Sequence, residues 1–143
     1  MQRAASEMDA SDREFLHAFE QCQIAPENFR HRDHVRLAYV YLTQQDADTT
    51  LTKIRSGLHR FLAHVGAPPT KYHETITRAW VLAVEHFMHE TALTSSFEQF
   101  AAAAPRLFAP GAMETHYTRE RLWSDEARTR FVEPDLQPIP PPR

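Results

Sequence analysis

The sequence predicts an all-α fold, a single-domain up-and-down bundle of about five helices with a proline-rich C-terminal tail. Only three of the 143 residues are glycine, which is few for a protein built from strands and tight turns. The ten prolines lie outside the segments in which apolar residues recur at helical spacing. The length is that of one ordinary domain and is sufficient to bury a hydrophobic core.

The first two predicted helices lie on either side of Pro26. The segment Ser11–Glu14 has the form of a capping box, and apolar residues follow it on one helical face. We expect this helix to end near Ile24, because the residue before a proline disfavours the helical conformation. The second helix begins near His31 and directs these residues inward: Val35, Ala38, Tyr41 and Leu42.

The third helix has the clearest periodicity. Asp48 is its predicted N-cap, and Gly66 is the residue at which it should stop. Its apolar face carries Leu51, Ile54, Leu58, Phe61, Leu62 and Val65.

Two further helices are predicted after the proline pair at 68–69. The fourth begins around Tyr72–His73. Its apolar face carries Ile76, Trp80, Val84 and Phe87. The fifth runs from 97 to about 104, with Ser95 or Ser96 as its cap and Pro105 at its end.

The last part of the chain is predicted to contain shorter helices and a proline-rich end. Short helical pieces are predicted at 118–123 and 124–131, and the residues after them are rich in proline. We therefore expect residues 1–132 to form the helical domain and residues 133–143 an extended tail.

Composition excludes several classes of protein. Sixteen lysines and arginines against nineteen acidic residues give a net charge of −3, so no basic surface for nucleic acid is indicated. The single cysteine, Cys22, excludes an internal disulfide framework and a cysteine-ligated zinc module. The N-terminus lacks the apolar stretch of a signal peptide, and the run Ala79–Val84 is too short to cross a bilayer. The prediction is a cytoplasmic protein without membrane or nucleic-acid partners.

Nine histidines are many for this length, and helical phase divides them. Five are expected at the solvent or at a helix end: His17, His59, His64, His86 and His89. His31, His34 and His73 instead begin inward-facing stripes. Helices 2, 3 and 4 should run up, down and up, so the second and fourth start at the same end of the bundle.

The same topology gives the candidate site. A descending fifth helix would return His116 and Tyr117 toward that end. A helix N-terminus favours neutral imidazole, which is the form that binds metals. His31, His34, His73 and His116 are thus candidate ligands of one transition-metal ion, either copper, iron or zinc.

Other residues near these histidines suggest supporting roles. Glu74 is a candidate general base or orienting group, and Asp33 is the other available acid. Tyr72, Tyr117 and Trp80 would line an aromatic pocket. The alternatives are a pocket without metal and a purely structural role, in which His31–His34 is only a polar first turn.

Several stronger signatures are absent from the sequence. It has no His-Asp dipeptide, no His-Glu-x-x-His, no phosphate-binding glycine loop and no nucleophile elbow. Only one Glu-x-x-His occurs, at Glu14–His17, whereas a di-iron bundle needs two. Cys22 lies on the inner face of the first helix and is interpreted as a small core residue.

Two stretches, Phe29–Ala38 (ending HRDHVRLA) and Tyr72–Trp80 (beginning YHETIT), resemble a family of small, mostly uncharacterised bacterial helical proteins. The segment from Tyr117 to Asp135 looks like the C-terminal block of that family. The resemblance implies no particular reaction. It does imply a set of site positions, namely His31, His34, Tyr72, His73, Glu74, Thr77 and Trp80.

The resulting functional prediction is a small metal-dependent enzyme, oxidase-like, oxygenase-like or hydrolytic, acting on a small organic molecule. Glu74 and Tyr72 would be catalytic, and Trp80, Thr77 and Tyr117 would bind the substrate. The alternative is a metal-free helical bundle that binds or senses a small ligand. The outer face of the fourth helix is a candidate surface for a homodimer. Separately, Pro138–Arg143 has the P-x-x-P-x-R form that proline-recognition domains bind.

Overall fold

Seven α-helices make up most of residues 8–141, the part of the chain that the computed structural model describes. They are α1 (Ala10–Glu20), α2 (His31–Leu42), α3 (Ala47–His64), α4 (Glu74–Glu90), α5 (Phe97–Ala103), α6 (Arg119–Leu122) and α7 (Asp125–Thr129). These residues contain no strand and form one compact domain, so the all-α prediction is confirmed. No helix within 8–141 has both the length and the apolar composition needed to cross a membrane.

Two predicted helix starts are off by a few residues. The cap of α1 is Asp9, whose carboxylate accepts a hydrogen bond from the Asp12 N–H, and not Ser11. The cap of α3 is Asp46, which accepts from the Thr49 N–H at 2.8 Å, whereas Asp48 lies in the first turn. In both cases the aspartate whose backbone is still extended acts as the cap.

The end of α1 was predicted too late. The helix stops at Glu20 because Cys22 adopts a positive φ of 56°. The Cys22 N–H donates to the Phe19 carbonyl and the Gln23 N–H to the Ala18 carbonyl, which is the Schellman arrangement. Glycine usually occupies this position, as Gly66 does after α3, so a cysteine there does not indicate the end of a helix.

The α2 helix lies at the centre of the bundle, where α1, α3, α4 and α5 all pack against it. Most of its residues from Val35 to Tyr41 are buried, including Leu37 and Val40 on the side away from the predicted stripe. A close approach of α1 to α3 depends on Gly57, because a Cβ there would lie 2.4 Å from the Phe19 ring. This packing leaves the N-terminal ends of α2 and α4 near each other.

A buried carboxylate ties three helices together. Asp12 of α1 accepts hydrogen bonds from the Arg36 side chain of α2 at 3.0 Å and from the Phe97 N–H of α5 at 2.8 Å. Each carboxylate oxygen has a donor, which offsets the cost of burying the charge.

The chain after α7 runs along the helices. The Leu136 N–H donates to the His116 carbonyl at 3.0 Å, and Ile139 packs against the core. The Nδ1 atom of His86 lies 3.1 Å from the Pro141 carbonyl oxygen, so the outer face of α4 is partly covered by this segment. Residues 1–7 and 142–143 lie outside the described residues, so the structure does not test what was predicted for the polar N-terminus or for the end of the Pro138–Arg143 motif.

Four of the five histidines predicted at the surface are exposed: His17, His59, His64 and His89. The exception is His86, which is half-buried beneath the proline-rich segment.

Candidate functional site

A cavity of about 510 Å³ lies between α2, α3 and α4. Its walls are mainly apolar and include four aromatic side chains besides the histidines, namely Phe29, Phe61, Tyr72 and Trp80. Aliphatic residues complete these walls: Ala38, Ile54, Leu58, Leu62, Ile76 and Val81. A volume of this size and a lining of this kind are typical of small-molecule sites.

The polar residues of the cavity come largely from the two neighbouring helix starts. His31 and His34 of α2 and His73 at the start of α4 all line it, together with Lys71, Tyr72 and Thr77. Helical phase and topology thus located three histidines on one cavity. The three rings nevertheless have different hydrogen bonds and different roles.

His73 is a structural residue. Its Nδ1 accepts a hydrogen bond from the Ile76 N–H at 3.1 Å and so caps α4, and its Nε2 lies 2.7 Å from the carbonyl oxygen of Leu122. Because Nδ1 is an acceptor, the hydrogen-bond network assigns the proton to Nε2, which donates to Leu122. Burial lowers the pKa of His73 and favours this neutral form. Neither ring nitrogen is left to bind a metal or a substrate.

His34 differs from His73 because its ring nitrogens have no partner among the described residues. Its ring stacks on Phe29 with a centroid separation of 4.2 Å and lines the cavity. Burial, followed by repulsion from His31, lowers the pKa of His34 to about 4, so the ring is neutral at pH 7. Its nitrogens make no hydrogen bond to any described residue. A neutral imidazole offers one donor and one acceptor, and both are available here.

His31 lies at the rim. Its Nε2 is 3.0 Å from the Leu107 carbonyl oxygen, and its ring meets the Trp80 indole edge-on at 4.5 Å. These contacts fix the ring between α4 and the chain after α5. His31 therefore helps to hold Trp80 in the cavity wall.

Glu74 does not line this cavity. Its carboxylate accepts two hydrogen bonds from Arg55, at 2.9 and 2.6 Å, and one from the Tyr72 hydroxyl at 2.6 Å. Burial alone would raise the pKa of Glu74, but the hydrogen bonds from Arg55 and Tyr72 outweigh it, and the pKa is lowered. A carboxylate with a lowered pKa is a weak base. Glu74 therefore orients the Tyr72 hydroxyl and does not itself face the cavity.

Besides Glu74, two further predicted site residues lie away from the cavity. Tyr117 is fully buried in a separate core cluster and donates to the Val132 carbonyl at 2.6 Å. The Nδ1 atom of His116 is 2.7 Å from the Gln137 carbonyl oxygen, and this ring faces a different cavity beside α4. The prediction assumed that a descending fifth helix returns the chain to the cavity; α5 has nearly the predicted bounds, but the 3₁₀ turns after it redirect the chain.

The predicted metal ligands are therefore only partly assembled. Within residues 8–141, no group of three or more histidine, cysteine, aspartate or glutamate side chains is arranged to hold a metal ion. Both ring nitrogens of His73 are engaged in hydrogen bonds, so this ring is not available as a metal ligand in the observed structure.

Sequence reasoning missed several contributors to the site. Phe61 and Leu62 were assigned to the apolar face of α3 but not to a cavity, because periodicity shows which face is inward and not where packing is incomplete. Arg55 was not identified, since its partner Glu74 belongs to another helix. A bulky Phe29 just before the HRDHVRLA stretch was the only sequence signal for the stacked ring.

Comparisons of this chain with protein-family models, with curated proteins and with solved structures gave no significant match.

Proposed function

We propose that this protein binds a small, largely apolar, ring-containing organic molecule in the cavity between α2, α3 and α4, without a metal. The observation that carries the proposal is the state of His34, a neutral, half-buried imidazole that lines an apolar cavity and has no hydrogen-bond partner among the described residues. A ligand that fills the cavity displaces water from the His34 ring nitrogens, and leaving them unsatisfied would be costly. A hydroxyl, amide or carbonyl group of a bound molecule would supply that partner.

The walls of the cavity support a ring-shaped ligand. Phe29, Phe61 and Trp80 present aromatic surfaces to the cavity, and aromatic pairs gain energy from stacked or edge-on contacts. The His31 and Glu74 contacts hold Trp80 and Tyr72 in place before a ligand arrives, so little side-chain entropy would be lost on binding.

Binding is favoured over catalysis by the chemistry of the lining. An efficient general base has a pKa near the working pH, and His34 titrates near 4. The lining includes no carboxylate, cysteine or serine among the described residues, and the lysine that borders it, Lys71, is exposed to solvent. A metal-dependent reaction would need a third ligand, and His73 could serve only by giving up its cap and its bond to Leu122.

The experiment is a calorimetric titration with 2-naphthol and with naphthalene, two bicyclic aromatic compounds that differ by one hydroxyl group. We expect 2-naphthol to bind the parent protein about tenfold more tightly, because its hydroxyl donates to the His34 ring. In His34→Phe, which keeps an aromatic ring against Phe29, the two compounds should bind about equally.

The matched control is His17→Phe, a change at an exposed histidine of α1, which should keep the preference for 2-naphthol. Added EDTA should leave both affinities unchanged. Equal binding of the two compounds to the parent protein would contradict the role of His34. Loss of binding in EDTA would contradict the metal-free proposal and favour the metal-dependent alternative.

A further inference from the structure

A second concave surface, which we call the arginine groove, lies on the other side of Tyr72. It has a volume of about 550 Å³ and is lined by four arginines from α3, α4 and the α7 region: Arg55, Arg78, Arg128 and Arg130. The only carboxylate in its lining is Glu74. The whole chain has a net charge of −3, so this concentration of positive charge is a local feature.

Two of the four guanidinium groups already have carboxylate partners. Arg55 is paired with Glu74, and Arg130 with Glu126 one helical turn before it. Their positive charges are therefore largely neutralised within the protein.

Arg78 and Arg128 form no ion pair with any described carboxylate. Arg78 lies over the Phe131 ring, 4.5 Å from its centroid, and donates no hydrogen bond to a described residue. Arg128 donates one weak hydrogen bond to the Thr70 carbonyl, at 3.3 Å, and lies over Trp123. Both guanidinium groups are held by aromatic faces, and most of their N–H donors are unused.

We propose that the arginine groove binds a phosphate monoester, with Arg78 and Arg128 contacting the phosphate. A monoester carries between one and a half and two negative charges at neutral pH, roughly the charge of two guanidinium groups. The planar guanidinium matches the spacing of two phosphate oxygens. Phe131 and the His59 ring, which is tilted against the Tyr72 ring with a centroid separation of 4.5 Å, offer surfaces for the organic part of the ester.

This site is independent of the apolar cavity, since it shares only Tyr72 with it. The test is a calorimetric titration of the full chain at fixed ionic strength with phenyl phosphate, inorganic phosphate and phenylacetate. We expect phenyl phosphate to bind most tightly and phenylacetate, which has the same ring but one charge, to bind about tenfold more weakly.

Variants assign the binding to named residues. Arg78→Gln and Arg128→Gln should each weaken phenyl phosphate binding by about tenfold, because each removes a charged hydrogen-bond donor. Arg60→Gln, at an exposed arginine of α3 outside the groove, is the matched control and should bind like the parent. Circular dichroism would verify that each variant is folded. If Arg128→Gln does not fold, the loss of affinity in Arg78→Gln alone tests the proposal.

Three results would overturn the proposal. If phenylacetate binds as tightly as phenyl phosphate, the groove is a general anion surface. If inorganic phosphate binds more tightly than the ester, the ring of the ester contributes nothing to binding. An equal loss in Arg60→Gln and Arg78→Gln would show that overall charge, and not the groove, controls the binding.

Discussion

Replacing His73 by alanine should lower the free energy of unfolding by about 3 kcal/mol. The change removes the side chain that caps α4 and also leaves the Leu122 carbonyl without its donor in a buried place. The cap is worth about 1 kcal/mol, and an unsatisfied buried carbonyl costs about 1 to 3 kcal/mol. Denaturant-induced unfolding followed by circular dichroism would measure the loss.

The matched variant is His73→Asn, because asparagine caps helices well but is too short to reach the Leu122 carbonyl as well. It should recover about 1 kcal/mol relative to the alanine variant. A loss below about 1 kcal/mol in His73→Ala would contradict the structural role given to this residue.

Acidification should destabilise the protein by about 3 kcal/mol through His34 alone between pH 7 and pH 4. The pKa of His34 is lowered from 6.5 to about 4 in the folded state. The unfolded chain therefore binds more protons than the folded one in this window, and stability falls as the pH falls. The contribution is fully present above pH 6.5 and is lost as the pH approaches 4.

His34→Phe isolates this effect from the other groups that titrate in acid, including His73 and Glu74. The parent should lose about 3 kcal/mol more than the variant between the two pH values, measured by denaturation at each pH. Equal losses would show that His34 is not held neutral by its surroundings.

These two histidines show what could be derived from the sequence. Both begin a stripe of inward-facing residues, and the up-and-down order of α2, α3 and α4 places them on one cavity. Their roles could not be derived, because the partner of His73 is Leu122, 49 residues away along the chain. Periodicity indicates which way a side chain faces but not which distant carbonyl meets it.

The same limit explains the residues that were misplaced. The extent of α2 to α5 followed from apolar spacing and prolines, since both act locally. The position of His116 depended on how the chain continues after α5, where short turns and the contact with Gln137 carry it away from the cavity. The choice between Asp46 and Asp48 as the cap depended on backbone angles that two nearby aspartates do not reveal.

The proposed role of His34 is tested most directly by nitrogen-15 NMR of the histidine rings at pH 7 during titration with 2-naphthol. We expect a neutral His34 in the free protein and a shift of its ring nitrogen resonances as 2-naphthol binds. The His73 resonances should keep the pattern of the Nε2–H tautomer throughout. Saturable binding of 2-naphthol that leaves His34 unchanged, or no binding at all, would contradict the proposed function.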